Sequence, residues 1–279
     1  MPELARNNSD FLFFYPCTGD KPAPKSLLLI HGWGFDQQVW HSALPFLQIH
    51  FDCYLLDVFR APTQMALGGF DVDTALEQLF QSLLPSLPEK IVVLGWSLGG
   101  MLAMEFAVRY PDRCSHVITL ASSLKWVADN NWPGMPQSEF RRFCQRLQRD
   151  PATTQTQFIA LQLAGDCQAE TLEPLVKQCA DQAGLNSQQL QNGLALLDRL
   201  DLREAQFNMP VLHLLAENDA LIGEATRLAI RQQQPEHHCQ VYPRSGHAFW
   251  LASPALLAET VLQFACAESQ QLQKRDVAA

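Results

Sequence analysis

Short apolar runs alternate with longer amphipathic stretches along this chain, and no other feature of the sequence restricts its fold as strongly. The apolar runs of strand length are 11–15, 27–30, 53–57, 91–96, 117–121, 211–216 and 239–242. Stretches with helical periodicity lie between them, at 37–47, 72–84, 98–110, 224–233 and 254–267. Strands that are apolar on both faces belong in a parallel sheet covered by helices. The sequence therefore predicts an α/β fold with a doubly wound, mostly parallel sheet.

One long stretch interrupts this alternation. Residues 122–202 contain no convincing strand and are dominated by glutamine-rich helical patterns. We therefore predict a core made of residues 1–121 and 203–267, a helical insertion at 122–202, and a disordered tail at 268–279. An insertion at this place is interpreted as a cap over the carboxyl edge of the sheet. An ordinary helical subdomain is the alternative.

Charge and cysteine content exclude several classes of protein. The net charge is −9, so the chain lacks the basic surface that nucleic-acid binding requires. No run of about 20 apolar residues is present to span a membrane, and residues 1–10 lack the apolar segment of a signal peptide. The eight cysteines form no CxxC pair and no zinc-binding spacing. These features predict a reduced, cytoplasmic protein without a metal site.

A glycine-rich turn joins the predicted strand 91–96 to the predicted helix 98–110. Its sequence, GWSLG at 95–99, matches the pattern G-x-S-x-G. In such a turn the serine Oγ stands above the carboxyl edge of the sheet, and the glycines avoid clashes within the sharp bend. The alternative is a turn that serves packing alone. The position between strand and helix favours a nucleophile, and we predict Ser97 in that role.

A nucleophilic serine needs a base, and the base needs an acid that orients it. On this fold the acid and then the histidine follow the serine along the chain. His247 lies in a loop after the last predicted strand, where it can reach the serine, whereas His213 lies within a strand and is interpreted as a core residue. Asp219 follows the preceding strand and is the predicted acid. Glu217 is the alternative acid, and a helix N-cap is the alternative role of Asp219.

The chemistry also needs backbone N–H groups that stabilise the oxyanion. The amide of Leu98, at the start of the helix after the nucleophile, is one candidate. The amide of Trp33, in the loop HGWG at 31–34, is the other. That loop does not complete the glycine fingerprint of a dinucleotide site, and the chain has no GK[ST] phosphate loop.

Together these motifs resemble the α/β-hydrolase superfamily. The two tryptophan-containing motifs and the segments 132–134 and 158–162 are similar to the pimeloyl-[acyl-carrier protein] methyl ester esterase family of biotin biosynthesis, and the similarity extends from about residue 25 to residue 265. The resemblance implies an α/β-hydrolase fold with a helical cap and a catalytic triad of Ser97, Asp219 and His247. It further implies substrate-binding positions of two kinds: oxyanion and acyl-binding positions at Trp33 and Leu98, and an acyl channel beneath the cap lined by Phe158, Ile159, Ala160, Leu161 and Gln162.

The function implied by this resemblance is serine-dependent hydrolysis of the methyl ester of pimeloyl-[acyl-carrier protein], by a monomer that needs no metal or organic cofactor. A carboxylesterase or thioesterase of broader range is the alternative within enzymes. A ligand-binding protein that has kept the fold without catalysis is the alternative from another class. A dehalogenase is disfavoured, because its turn would carry aspartate in place of Ser97.

Acyl carrier protein is acidic, so a partner with a charge of −9 needs a local basic surface to bind it. Members of the family carry arginines facing the carrier where this chain has Thr153, Gln157, Glu170 and Pro174. Helical periodicity over 138–148 instead groups Arg142, Arg146 and Arg149 opposite an apolar side, with Arg141 at the border. These arginines are candidate docking residues. A solvated face of an amphipathic helix is the alternative interpretation.

Overall fold

A single eight-stranded sheet forms the centre of the computed structural model, which describes residues 6–19, 25–61 and 71–276. Its strands are β1 (Arg6–Ser9), β2 (Leu12–Tyr15), β3 (Lys25–Ile30), β4 (Phe51–Leu56), β5 (Ile91–Trp96), β6 (Cys114–Leu120), β7 (Val211–Ala216) and β8 (His238–Tyr242). Their order across the sheet is β1-β2-β4-β3-β5-β6-β7-β8. The pairings of β1 with β2 and of β2 with β4 are antiparallel, and all the others are parallel. The predicted mostly parallel α/β fold is confirmed.

Helices cover both faces of this sheet. They are α1 (Leu44–Leu47), α2 (Val72–Leu83), α3 (Leu98–Arg109), α4 (Gln137–Arg149), α5 (Pro151–Leu163), α6 (Ala169–Ala183), α7 (Ser187–Arg199), α8 (Glu224–Gln233) and α9 (Pro254–Asp276). Among the residues that the structure describes, none of these helices is both long enough and apolar enough to cross a membrane.

Alternate residues of the central strands pack into two separate hydrophobic clusters. Leu28 and Ile30 of β3 pack with the apolar sides of α2 and α3 on one face of the sheet. Leu27 and Leu29 pack with α9 and with Trp40 and its neighbours on the other face. Because both faces are covered, β5 is buried along its whole length. This explains why the strand appears in the sequence as a continuous apolar run rather than as an alternating one.

The four helices α4 to α7 follow one another between β6 and β7, and we call residues 122–202 the cap. Its two ends are joined by an isolated bridge between Lys125 and Asp201. Arg203 and Lys125 pair there with Asp201 and Asp129. The cap is therefore connected to the core by two chain segments that lie side by side.

Some elements differ from the sequence predictions. The predicted helix at 37–47 is a 3₁₀ helix (Gln37–Ser42) followed by the single turn of α1. Pro45 explains the break, because its ring would clash with the carbonyl four residues earlier in a continuous α-helix. The strand β1 was not predicted, since its sequence, RNNS, is entirely polar.

The last helix also runs further than predicted. It continues to Asp276, whereas the sequence predicts a disordered tail from residue 268. Side chains from residue 267 onward lie outside the described part of the chain, as does the backbone of 277–279. The tail therefore stays a prediction.

Candidate active site

The turn between β5 and α3 holds Ser97 in a strained backbone conformation. Its φ is 56° and its ψ is −118°, in a region that residues with a side chain rarely adopt. A Cβ on Gly99 would lie 2.1 Å from the carbonyl oxygen of Ile30, and one on Gly95 would lie 1.9 Å from the carbonyl oxygen of Gly99. Only glycine fits at these two positions, so the pattern G-x-S-x-G follows directly from the packing of the turn.

Hydrogen bonds from the neighbouring strand fix this turn. The Ser97 amide donates to the carbonyl of Leu120, at 2.8 Å, and the Ser122 hydroxyl donates to the carbonyl of Ser97, at 2.7 Å. Ser97 itself is 2% exposed. The serine is thus held, buried, at the carboxyl edge of the sheet.

His247 and Asp219 form a buried pair at the same edge. The His247 Nδ1–H donates to Asp219 Oδ2 over 2.8 Å. Asp219 Oδ1 accepts from the amides of Leu221 and Ile222, at 2.8 and 3.0 Å. These bonds fix the carboxylate, and the carboxylate in turn keeps the imidazole proton on Nδ1. Asp219 is not the N-cap of the following helix, because Gly223 occupies that position; its Oδ1 instead binds the turn that precedes α8.

The other ring nitrogen of His247 is free to accept a proton. Nε2 is buried and makes no hydrogen bond to Ser97 Oγ or to any other described residue. In proteins without bound substrate, the contact between nucleophile and base is often longer than a hydrogen bond. The structure thus brings Asp219 and His247 into direct contact, and leaves Nε2 without a partner.

Glu217, the alternative acid, has a different partner. Its Oε2 accepts from the backbone amide of Arg244 over 2.7 Å. This bond lies at the exposed start of the loop that leads to His247. Asp219 is therefore the carboxylate that meets the imidazole in this structure.

Tryptophans surround the histidine. The Trp96 indole N–H donates to the carbonyl of His247 over 3.1 Å, and the ring centroids of Trp96 and Trp126 lie 5.9 and 6.3 Å from that of His247. His247 is completely buried. Electrostatic interactions in such a dry, apolar site are stronger than in water.

Both candidate oxyanion donors lie next to Ser97. The amide of Leu98 is the first of α3 and has no acceptor within its own helix. A Cβ on Gly32 would lie 3.3 Å from the Cβ of Ser97, which places the loop containing Trp33 directly against the serine. The Trp33 indole N–H donates to the carbonyl of Leu190 in α7, at 2.8 Å, and so ties this loop to the cap.

The five predicted acyl-channel residues lie on different sides of α5. Phe158 is buried, with its ring centroid 4.8 Å from that of Trp33. Gln162, one turn later, is also buried, and its carbonyl accepts from the His247 amide over 2.9 Å. Ile159 is buried in the cluster that contains α9. Ala160 and Leu161 are exposed on the outside of the cap.

The arginines of α4 point away from the core. Arg141, Arg142, Arg146 and Arg149 are all exposed, whereas Phe140, Phe143 and Leu147 on the opposite side of the helix are buried. No ion pair within the described residues involves these four guanidinium groups. The helix therefore carries four cations on its solvent side.

Sequence reasoning missed one group of residues near the site. The connection after α5 contacts the loops of both Asp219 and His247 through Gly165, Asp166 and Cys167. No local pattern could have indicated this, because the partners are more than 50 positions apart. Among the described residues, no cluster of three or more His, Cys, Asp or Glu side chains could hold a metal ion.

Comparisons with known proteins identify the family of this chain. The family described as the alpha/beta hydrolase fold matches residues 25–252. A relative from Klebsiella pneumoniae subsp. pneumoniae, named pimeloyl-[acyl-carrier protein] methyl ester esterase, is 34% identical over 85% of this chain and 91% of its own length. A relative of the same name from Pectobacterium carotovorum is 32% identical over 86% of this chain and 93% of its own.

Solved structures show the same fold at lower identity. The crystal structure of a bromoperoxidase from Bacillus anthracis aligns with a TM-score of 0.77, at 19% identity, over 94% of this chain and 98% of that one. An esterase from Exiguobacterium antarcticum aligns with a TM-score of 0.75, at 15% identity, over 91% and 95%. The chain therefore belongs to the α/β-hydrolase family and, within it, to the family of the pimeloyl-[acyl-carrier protein] methyl ester esterases.

Proposed function

We propose that this chain is a serine carboxylesterase that hydrolyses the methyl ester of pimeloyl-[acyl-carrier protein] in biotin biosynthesis. The observation that carries the proposal is the buried contact of His247 with Asp219 at the sheet edge that also carries the strained Ser97. The names of the relatives supply the substrate.

In the first half of the reaction, Ser97 Oγ attacks the ester carbonyl and passes its proton to His247 Nε2. The negative charge that develops on the carbonyl oxygen is stabilised by the amides of Leu98 and Trp33. Asp219 stabilises the imidazolium that forms. The tetrahedral intermediate then collapses, its bond to the methoxy oxygen breaks, and Nε2 returns the proton so that methanol leaves.

In the second half, water attacks the acyl-serine. His247 Nε2 takes a proton from the water, and the same two amides stabilise the second oxyanion. Collapse breaks the bond to Ser97 Oγ, which recovers the proton, and the free carboxylate is released. Neither half requires a metal or an organic cofactor.

Phe158 and Gln162 are proposed to line the inner side of the acyl channel, because both are buried near Trp33 or His247. Ala160 and Leu161 lie on the outer side of the same helix. They are proposed to contribute to substrate binding at the surface of the cap. Ile159 supports the helix from the core side.

We propose that the carrier docks on the exposed arginines of α4, by charge attraction to its acidic surface. Reversing Arg142 and Arg146 to Glu is expected to raise the KM for a carrier-linked ester at low salt, and the effect should fade as salt screens the charges. Hydrolysis of a small soluble ester should not change. Equal KM values for the wild type and this variant would leave the arginines as a solvated face.

A charge-matched control distinguishes local docking from overall charge. Lys90 precedes β5 and Arg231 lies near the end of α8, both exposed and at the amino edge of the sheet, opposite the cap. Reversing these two residues to Glu changes the net charge equally. If it raises the KM for the carrier-linked ester as much as the α4 reversal does, specific docking on α4 is wrong.

The proposed reaction is tested by rescue of a biotin-requiring strain that lacks its own esterase. Wild-type protein should restore growth without biotin, and Ser97→Ala should not. A short chromogenic ester, assayed in parallel, separates the alternatives. Ester hydrolysis without rescue indicates a broader carboxylesterase or thioesterase. Absence of both ester hydrolysis and rescue indicates a ligand-binding protein.

All eight cysteines are unpaired, which supports the proposal that the enzyme works in the reducing cytoplasm. We propose a monomer, as the sequence predicts. Light scattering at assay concentration tests the mass, with 31.3 kDa expected.

A further inference from the structure

The end of α5 and the connection after it, residues 162–167, bind both loops that carry the candidate catalytic pair. The His247 amide donates to the Gln162 carbonyl over 2.9 Å, and the Cys167 amide donates to the Arg244 carbonyl over 3.0 Å. The Asn218 side-chain amide donates to the Gly165 carbonyl, also over 2.9 Å. We call residues 162–167 the cap connection.

Asp166 binds the histidine loop through its side chain. Its Oδ2 accepts from the amide of Gly246, next to His247, over 2.7 Å. Its Oδ1 accepts from the amide of Gln168 over the same distance, which fixes the carboxylate within the connection. A charge-assisted bond of this kind is shorter and stronger than one between neutral groups.

The loop that receives this bond is strained and needs external support. Arg244 has a φ of 53°, in the left-handed region that non-glycine residues rarely adopt. Its amide is held by Glu217 and its carbonyl by the cap connection. Strained backbone of this kind persists only where its surroundings fix it. The orientation of His247 therefore depends on contacts from the cap as well as on Asp219.

We propose that Asp166 is a positioning residue that aligns His247 with Ser97 through the Gly246 amide. This inference rests on the proposed serine esterase mechanism. Because Asp166 lies between two cap helices, it also makes the alignment of the histidine depend on the position of the cap. A shift of the cap relative to the sheet would move the Gly246 amide with it and misalign Nε2.

The test compares Asp166→Ala with the wild type on a short chromogenic ester, with active sites counted by titration with a fluorophosphonate. A displacement of about 1 Å in a catalytic group can cost about 10²-fold in rate. We therefore expect kcat per titrated site to fall at least about tenfold for Asp166→Ala, with KM changed by less than about twofold. Asp166→Asn keeps one acceptor oxygen, which can serve the Gly246 amide or the Gln168 amide but not both, so it should restore part of the lost kcat.

Asp150→Ala is the matched control. Asp150 also accepts a backbone amide in the cap, that of Thr153 at the start of α5, but it does not contact the catalytic loops. This variant should lower stability by a similar amount and leave kcat per site unchanged. If Asp166→Ala fails to fold, Asn218→Ala, which removes the bond to Gly165, takes its place with the same expected loss of kcat.

Two outcomes overturn the inference. One is a wild-type kcat per site in Asp166→Ala with only a lower melting temperature, which would make Asp166 purely structural. The other is an equal loss of kcat in Asp150→Ala, which would assign the effect to general cap stability. An inactive wild-type protein would instead refute the proposed function itself, so the two failures are distinguishable.

Discussion

Replacing Asp219 by asparagine tests the candidate catalytic pair most directly. Asp219 Oδ1 accepts two backbone amides and Oδ2 accepts the Nδ1–H of His247. In Asp219→Asn the amide oxygen can keep the two backbone bonds, so its NH₂ group must face the ring. Two donors cannot pair, and the imidazole proton moves from Nδ1 to Nε2.

The expected loss follows from this change of tautomer. With Nε2 protonated, His247 cannot accept the proton of Ser97. The loss in kcat should approach about 10⁴-fold, equivalent to about 5 kcal/mol of transition-state stabilisation, the size known for the same change in a serine protease. Because the backbone bonds are kept, the free energy of unfolding should fall by less than about 2 kcal/mol.

The assay is the turnover of a short chromogenic ester, and Glu217→Gln is the control. Glu217 lies two residues away in the same loop and binds a backbone amide rather than the ring. This exposed substitution should change kcat by less than about threefold. The reasoning is refuted if Glu217→Gln is the more damaging change, or if Asp219→Asn keeps more than a tenth of the wild-type turnover.

Three further predictions follow from the structure. Ser97→Ala and His247→Ala should each abolish most of the turnover, and the double variant should be hardly worse than either, because the residues act as one unit; multiplicative losses would contradict this. Gly99→Ala should lower the free energy of unfolding in denaturant titrations by more than about 4 kcal/mol, because its Cβ would meet a backbone carbonyl at 2.1 Å. Gly223→Ala, which has open space around it, is the control and should cost less than about 1 kcal/mol. Burial lowers the pKa of His213 to about 3, so the folded state resists its protonation. The stability that it contributes is complete above its unfolded pKa of about 6.5 and declines as the pH falls below it, by about 2 kcal/mol between pH 7 and pH 5. In His213→Gln, the slope of the free energy of unfolding against pH, measured from pH 7 to pH 5, should be smaller by about one proton. An unchanged slope would contradict this prediction.

The sequence by itself determined the fold class and the turn that carries Ser97, the candidate nucleophile. Both depend on neighbours along the chain: apolar runs on both faces of β5 require covering helices, and Gly95 and Gly99 are required by a turn of only five residues. The helix predicted at 37–47 is broken at Pro45, a local signal that the sequence itself contains. The strand β1 is paired through its backbone, so its side chains gave no signal.

Only the tertiary structure decided how the site is assembled. The sequence favours Asp219 over Glu217 only by its place in the loop; the packed fold brings Asp219 to His247, whereas Glu217 binds the Arg244 amide. In the same way, the rotation of α5 decides that Phe158 points inward and Leu161 outward, and the folding of the cap onto the sheet places Asp166 beside Gly246. The physical reason is the same in each case. A hydrogen bond reaches only about 3 Å, and only the packed fold brings such distant residues within that distance.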